Sequence, residues 1–135
     1  MLQPKRQKFR NQFRKGSGTV GERGTKVIFG DYGLKVLSSG RISDKQLEAA
    51  RRTIAFFTRK GGKIWTRIFP DKPITKKAAG TRMGSGKGDI FGYVFPITAG
   101  RIIMEVGGIP EADAKEAIRQ AGFKMPLKTI CVSKR

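Results

Sequence analysis

Residues 43–69, SDKQLEAARRTIAFFTRKGGKIWTRIF, decide the fold because they predict a helix followed by a strand. Ser43 and Gln46 have the spacing of a capping box, in which each side chain bonds the other residue's backbone N–H. The apolar stripe that recurs at helical spacing consists of Leu47, Ala50, Ile54 and Phe57. The pair Gly61-Gly62 is typical of a helix end, and the β-prone run 63–69 then predicts a strand.

The rest of the chain predicts a compact α+β domain of two helices on a mixed sheet. The other expected strands are residues 26–29, 34–37, 91–97, 101–106 and 127–133. A second helix is predicted from Pro110 to Gly122, since proline suits a first helical turn and glycine a helix end. Pro96 lacks an N–H and should confine its strand to a sheet edge or a bulge. Residues 70–90 show no period and predict a long loop, which in a small domain is usually functional or disordered.

Charge is the most unusual property of the chain. Its 135 residues include 29 Lys and Arg against 10 Asp and Glu, which gives a net charge of +19 and a sequence pI of about 10.9. This much positive charge on one small domain opposes compaction through self-repulsion. We therefore expect the stable form to be one in which a polyanion neutralises the charge.

Residues 1–24 form a basic N-terminal arm. Glu22 is the only acid among them, and several glycines interrupt the segment. Such a segment buries too little apolar surface to fold alone, so we expect it to become ordered on a partner. Phe9 and Phe13 are the arm's candidates for base stacking, because the arm has no core of its own. Residues 25–135 are expected to form a single domain.

The composition excludes several kinds of chemistry. Histidine is absent and Cys131 is the only cysteine, which rules out an intramolecular disulfide, a zinc ribbon and every histidine-based site. Cys131 lies in an apolar run and is expected to be a small buried hydrophobe. The acids Glu105, Glu111, Asp113 and Glu116 are expected to be capping and dipole partners of the second helix. We predict no catalytic residue, no metal and no cofactor.

The glycine-rich stretch 80–88, GTRMGSGKG, invites comparison with a nucleotide-binding P-loop. That motif needs a glycine five residues before its Gly-Lys pair and Ser or Thr after the lysine, but Thr81 and Gly88 occupy those positions. Glycines also let a backbone approach a phosphate chain closely, while Arg82 and Lys87 supply charge. The stretch therefore predicts a nucleic-acid contact, with a solvated hairpin tip as the alternative.

The first helix is a third basic element. Lys45, Arg52 and Arg59 recur every seven residues and share nearly one face, away from the apolar stripe. A basic helix face is often only solvated, but the basic arm and loop favour a nucleic acid contacted on several sides. Folded RNA explains this combination better than DNA, which calls for a recognition helix, or a membrane, which calls for a long amphipathic helix. Trp65 is expected to pack in the core, with base stacking as the alternative.

Several segments resemble the bacterial-type ribosomal protein L-sixteen family of the large subunit. The two signature stretches are residues 60–70 (KGGKIWTRIFP) and 82–88 (RMGSGKG), and further similar segments are 1–6, 47–52, 71–75 and 124–129. Thr66 departs from the family, which usually has an aliphatic residue there. Phe91-Gly92-Tyr93 replaces a more usual Glu-Tyr-Trp run, and Phe56-Phe57 adds aromatic residues where small or basic ones are typical.

The resemblance implies a hammerhead-type α+β fold and a non-enzymatic, structural role in the large ribosomal subunit. It implies binding of large-subunit rRNA near the peptidyl-transferase centre and the central protuberance, and positioning of A-site tRNA, with P-site tRNA as a second candidate. The predicted rRNA-binding residues are Lys5, Arg6, Lys8, Arg10, Arg14, Lys15, Arg51, Arg52, Arg59, Lys60, Lys63, Lys72, Lys76 and Lys77. The predicted tip of the loop, nearest the tRNA, consists of Arg82, Met83, Gly84 and Lys87.

The expected partners are therefore rRNA, tRNA and neighbouring large-subunit proteins, without DNA, a membrane or a homo-oligomer. The expected location is a ribosome, in the bacterial cytoplasm or in an organelle. The alternative function is a free-standing RNA-binding assembly factor or RNA chaperone, which would leave the finished particle.

Overall fold

The helix predicted at the centre of the chain is present in the computed structural model, which describes residues 2–14, 18 and 20–135. Helix α1 (Asp44–Phe57) begins at the predicted capping box: the N–H of Gln46 donates to Ser43 Oγ at 3.2 Å, and the N–H of Ser43 donates to Gln46 Oε1 at 3.0 Å. The helix ends at Phe57, a few residues before the glycine pair, and Gly61 has a φ of +115°. The helix start is confirmed.

Seven strands and two helices follow one another in the described part of the chain. The elements are β1 (Tyr32–Val36), β2 (Gly40–Ser43), α1, β3 (Lys63–Thr66), β4 (Lys72–Lys76), β5 (Asp89–Ile97), β6 (Ile102–Gly107), α2 (Glu111–Gly122) and β7 (Thr129–Ser133). A four-stranded sheet has the order β3-β6-β1-β7, and a three-stranded sheet has the order β2-β5-β4. All pairings between these strands are antiparallel.

The α+β class is confirmed, but the strands form two antiparallel sheets instead of one mixed sheet. The short connection after β5, in which Gly100 has a φ of +94°, leads the chain out of the three-stranded sheet and into β6 of the other. Strands β5 and β6 are therefore neighbours in sequence without pairing with each other.

The core lies between the two helices and one face of the four-stranded sheet. The helices contact each other, and α2 also contacts β1 and β7. The fully buried residues include Leu34, Val36, Leu47, Ala50, Ile54, Met104, Val106, Ala114, Ala117, Ile118 and Ala121. The apolar stripe predicted for the first helix is confirmed, with Phe57 partly buried at its end. The second helix is confirmed as well.

The strand predicted at residues 26–29 is wrong. The backbone N–H groups of Ile28, Phe29 and Gly30 donate to the carboxylate of Glu105, at 3.1, 2.6 and 2.8 Å respectively. In a strand these N–H groups would bond to the backbone of a neighbouring strand, but here they bond to a side chain. The segment therefore covers the outer face of the four-stranded sheet. Val27 packs so closely on Gly33 of β1 that a Cβ added to this glycine would lie 2.9 Å from the Val27 side chain.

The predicted loop at residues 70–90 contains strand β4, so the irregular part is residues 77–88. The sequence did not predict this strand because it contains Pro73, which has no N–H for a ladder. Strand β4 tolerates the proline because it lies at the edge of its sheet. The edge predicted for Pro96 is present only locally, since β5 is the central strand of its sheet. Pairing between β4 and β5 stops at Val94, so Pro96 lies where β5 has a partner on one side alone.

Candidate nucleic-acid interface

The described arm residues that were predicted to bind rRNA are all exposed on the surface. These are Lys5, Arg6, Lys8, Arg10 and Arg14, whereas Lys15 lies outside the described residues. Several contacts attach the arm to the domain: Leu2 packs against the core, the side-chain amide of Gln7 donates to the hydroxyl of Tyr93, and the N–H of Gly21 donates to the carbonyl of Ala99 at 2.8 Å. Phe9 and Phe13 are exposed, as expected of stacking candidates, and Phe13 exposes 94% of its surface.

The arm and the glycine-rich loop meet. Lys87 Nζ donates to the backbone carbonyl of Gln12 at 3.1 Å, across 75 positions of sequence. Arg10 and Asn11 of the arm share a shallow recess of about 210 Å³ with residues 87–90. Two basic elements that are far apart in the sequence therefore form one continuous surface.

The backbone of the loop depends on its glycines. Gly80, Gly84 and Gly86 have φ values of +79°, +100° and +94°, a region that glycine enters without steric cost. The ammonium group of Lys77 donates to the carbonyl of Gly84 and so closes the loop on itself. Gly88 lies against β4, where a Cβ would come within 2.7 Å of the Lys76 carbonyl carbon.

The tip of the loop projects into solvent. Its four predicted tRNA-proximal residues, Arg82, Met83, Gly84 and Lys87, are all exposed, and Met83 exposes 93% of its surface. Lys76 and Lys77 line the same open recess of about 350 Å³ as the tip, so these two predicted rRNA-binding residues lie beside it.

The surface continues from the loop to the first turn of α1 through one aromatic ring. Lys76 Nζ lies 5.1 Å, and Lys45 Nζ 5.8 Å, from the centroid of the Phe91 ring. We call the surface formed by Gln12, Lys87, Lys76, Phe91 and Lys45 the arm–loop face.

Arg51 and Arg52 on α1 share one carboxylate. Arg51 donates to Glu48 at 2.6 and 2.9 Å, and Arg52 donates to it at 3.2 Å. The hydrogen bond from Arg51 is the main reason why the pKa of Glu48 is lowered to about 2. Burial of the carboxyl raises the pKa, but the charge of Arg51 and the contact from Arg52 lower it further. The carboxylate therefore stays ionised and orients both guanidinium groups, which are 42% and 75% exposed for Arg51 and Arg52.

The remaining predicted rRNA-binding residues lie apart from the loop. Arg59, Lys60 and Lys63 are exposed beyond the C-terminal end of α1, a helix about 21 Å long that has Lys45 in its first turn. The Arg59 guanidinium lies 4.7 Å from the centroid of the Phe56 ring. Lys72 is half-buried at the start of β4. The structure thus brings the arm, the loop and β4 together, while α1 extends the basic surface away from them.

Three of the four acidic residues assigned to the second helix lie on it, and Glu105 does not. Glu111 and Asp113 lie in the first turn of α2, and Glu116 pairs with Arg119 at 2.8 Å. Hydrogen bonds from Arg119 and Gln120 lower the pKa of Glu116 to about 2. Glu105, however, is no partner of this helix, because it lies fully buried in β6. Its carboxylate is satisfied there by three backbone N–H groups and by Arg67.

Trp65 and Cys131 are only partly buried. Trp65 lies outside the core cluster, half-buried against Phe29, with ring centroids 6.4 Å apart and planes 20° apart. Its strand alternates, so Ile64 faces the core and Trp65 the opposite side of the sheet. Cys131 is half-buried against the core, and burial raises the pKa of its thiol.

Sequence reasoning missed two contributors to this interface, Glu48 and Phe91. The signal for Glu48 was present, because an acid three and four residues before two arginines forms ion pairs on a helix. Phe91 carried no such signal, since its two cationic neighbours come from other elements of the fold.

Comparison with known proteins identifies the family. Residues 4–132 match the family model described as ribosomal protein L16p/L10e. The chain belongs to this family. The resemblance noted in the sequence is therefore confirmed, and so is the non-enzymatic role, because the family is one of structural ribosomal proteins.

Three relatives, all named large ribosomal subunit protein uL16, show how complete the similarity is. The protein of Polaromonas sp. is 50% identical over 99% of this chain and 97% of its own length. That of Paracidovorax citrulli is 50% identical over 100% of this chain and 98% of its own. That of Francisella tularensis subsp. novicida is 49% identical with the same coverage. Neither of the two described helices is long and apolar enough to cross a membrane.

Proposed function

We propose that this chain is a structural constituent of the large ribosomal subunit that binds large-subunit rRNA through its arm, its loop and α1. The observation that carries the proposal is the contact between Lys87 and the carbonyl of Gln12, which joins two basic elements into one face. Family membership and relatives named large ribosomal subunit protein support the ribosome as the location, and the relatives cited are bacterial. Neighbouring ribosomal proteins are then further partners.

The finer part of the proposal concerns position. The arm–loop face lies against rRNA near the peptidyl-transferase centre and the central protuberance, and the loop tip at Arg82 and Met83 lies beside A-site tRNA. Support comes from the exposure of the tip residues and from glycines that let its backbone approach phosphates. The mechanism is electrostatic: RNA phosphates neutralise the charge of +19 and hold the loop in one position.

Directed hydroxyl-radical probing from the loop tests this position. Iron-EDTA is attached to a Met83→Cys, Cys131→Ser variant, which is assembled into large subunits and programmed with A-site tRNA. We expect cleavage of peptidyl-transferase rRNA and of the tRNA acceptor arm. A matched variant, Phe123→Cys with Cys131→Ser, carries the iron beyond the end of α2 and should leave tRNA intact. Cleavage of tRNA from neither position, or from position 123 alone, would contradict the proposed placement.

A further inference from the structure

Phe91 occupies an irregular point of its sheet. Ile74 pairs with Gly92 and Thr75 pairs with Ile90, so the β4–β5 ladder skips Phe91. Bulges of this kind bend a strand and re-aim a side chain. Strand β2 pairs with β5 from Val94 onward, which leaves this end of β5 without a second neighbour. As a result, the Phe91 ring is 62% exposed.

Two ammonium groups from separate elements lie near this ring. Lys76 at the end of β4 is 5.1 Å from the ring centroid, and Lys45 in the first turn of α1 is 5.8 Å away. The face of an aromatic ring attracts cations at these distances. The capping box beside Lys45 fixes the start of α1, and the sheet fixes the backbone of Lys76 and Phe91, so the fold sets the backbone positions of all three residues.

The ring is open to solvent on the surface of the sheet, since Phe91 is 62% exposed. A flat group can therefore reach it without displacing the backbone.

We propose that Phe91, Lys45 and Lys76 form a stacking site for one unpaired nucleobase of RNA: the base takes the place of an ammonium group over the ring, and the two exposed lysines turn to bind the flanking phosphates. This inference rests on the proposed function and specifies the kind of RNA that one part of the interface takes. Bases in an A-form duplex are already stacked and present a major groove that side chains cannot enter. Aromatic stacking is therefore selective for unpaired nucleotides, and it depends little on base sequence.

Phe123 provides a matched control. Its ring is 68% exposed, and the Arg119 guanidinium lies 5.3 Å from its centroid. Arg119, however, is bound by Glu116 at 2.8 Å, and α2 also carries Glu111 and Asp113 in its first turn. This ring thus has similar exposure and one cationic neighbour, but that cation is already paired with a carboxylate.

Binding of the full chain to two RNA probes tests the inference. The probes are an oligoadenylate and an RNA duplex of equal phosphate count, titrated at several salt concentrations. We expect Phe91→Leu to weaken oligoadenylate binding by about 5- to 150-fold, the range for loss of one stacked base, and to leave duplex binding unchanged. The slope of log K against log salt should stay the same, because no charge is removed. Phe91→Trp should retain affinity, and the bound base should quench the fluorescence of this variant more than that of the wild-type chain, in which Trp65 is the only tryptophan.

The control and the charge variants complete the test. Phe123→Leu should leave both affinities unchanged, while Lys45→Gln and Lys76→Gln should each reduce the single-strand salt slope by about 0.7. Equal losses for Phe91→Leu and Phe123→Leu, or equal losses on the two probes, would overturn the inference alone. Failure of the wild-type chain to bind either RNA would contradict the proposed function and this inference together.

Discussion

Arg67 and Glu105 form an ion pair of 2.7 Å on the outer face of the four-stranded sheet, where Glu105 is fully buried and the Arg67 side chain is 14% exposed. The same carboxylate accepts the N–H groups of Phe29 and Gly30, and the Arg67 guanidinium lies 5.5 Å from the Phe29 ring centroid. The pair therefore fastens the segment that follows the arm onto the domain. The fastened segment includes residues 26–29, which were predicted to be a strand and instead bind this carboxylate.

Removing the negative charge of Glu105 should destabilise the domain strongly. Glu105→Gln leaves the Arg67 guanidinium beside a neutral amide in a buried site, and breaking a buried pair costs about 3–5 kcal/mol. Urea unfolding followed by circular dichroism measures the change in the free energy of unfolding. Glu111→Gln, which removes an exposed pair with Lys115, should have almost no effect. Equal losses in the two variants would refute the structural role of the buried pair.

The stability of the domain should decrease in acid. Burial raises the pKa of Glu105, but the hydrogen bonds from Gly30, Ile28, Arg67 and Phe29 outweigh it, so the pKa lies below its ordinary value of 4.5. A group whose pKa is lower in the folded chain stabilises it above the unfolded pKa, and this contribution disappears as the pH falls through the folded pKa. We expect the free energy of unfolding to fall below about pH 4.5. The Glu105→Gln variant should lose less of its free energy of unfolding over that pH range. Parallel pH profiles for the two proteins would exclude Glu105 as a source of the loss in acid.

The two neighbouring arginines of α1 should differ in effect. Arg52 makes one long contact with Glu48 and is 75% exposed, whereas Arg51 makes two short contacts and is 42% exposed. We expect Arg52→Ala to reduce the salt slope of rRNA binding by close to 1, and Arg51→Ala to reduce it less. Reversal of both charges to Glu should reduce incorporation into the large subunit. Normal incorporation of the double variant would count decisively against α1 as an RNA face.

The tip of the loop should act on tRNA more than on assembly. Arg82 is exposed on a loop whose base is held by Lys77 and Lys87, so Arg82→Ala leaves the arm–loop contact in place. We expect slower A-site tRNA accommodation in ribosomes that assemble at a near-normal level, measured by rapid kinetics and by gradient profiles. Arg119→Ala, on the acid-rich helix α2, should change neither. An Arg82→Ala ribosome that assembles poorly but accommodates tRNA at the normal rate would show that the loop tip serves assembly.

The close approach between the loop and β4 should make Gly88 sensitive to substitution. A Cβ at this position would lie 2.7 and 2.8 Å from the carbonyl carbon and oxygen of Lys76, so the backbone must shift in Gly88→Ala. We expect a loss of about 1–3 kcal/mol in the free energy of unfolding, as for other overpacked sites. Gly92→Ala is the matched control in the same sheet, since its added methyl group meets nothing within 4 Å. Identical melting temperatures for the two variants would contradict this packing.

Local patterns predicted the helices well and the sheets incompletely. The capping box at Ser43 and the apolar stripe of α1 depend on neighbouring residues, so the sequence contains all the information they need. The conformation of residues 26–29 depends instead on hydrogen bonds to Glu105, which is more than seventy positions away in the sequence. Strand β4 was missed because its proline and lysines are unfavourable in most strands, and only its edge position tolerates them.

The candidate interface, too, could be predicted only in part from the sequence. The basic arm, helix and loop were visible as composition, but their contact at Lys87 and Gln12 could not be inferred from spacing. The same holds for the two lysines near Phe91, which come from α1 and β4. Charge alone indicated that a polyanion is needed, whereas the fold indicates which charges act together.

The central claim is that this chain is a permanent part of the large subunit, and sedimentation of native ribosomes tests it most directly. Cells expressing the tagged chain are lysed, and ribosomes are washed in high salt and separated on a sucrose gradient. We predict that the chain remains in the large-subunit and intact-ribosome fractions in equal amount to other large-subunit proteins. A chain found only on immature particles, or released by the salt wash while the large subunit stays intact, would contradict the claim and indicate a free-standing assembly factor.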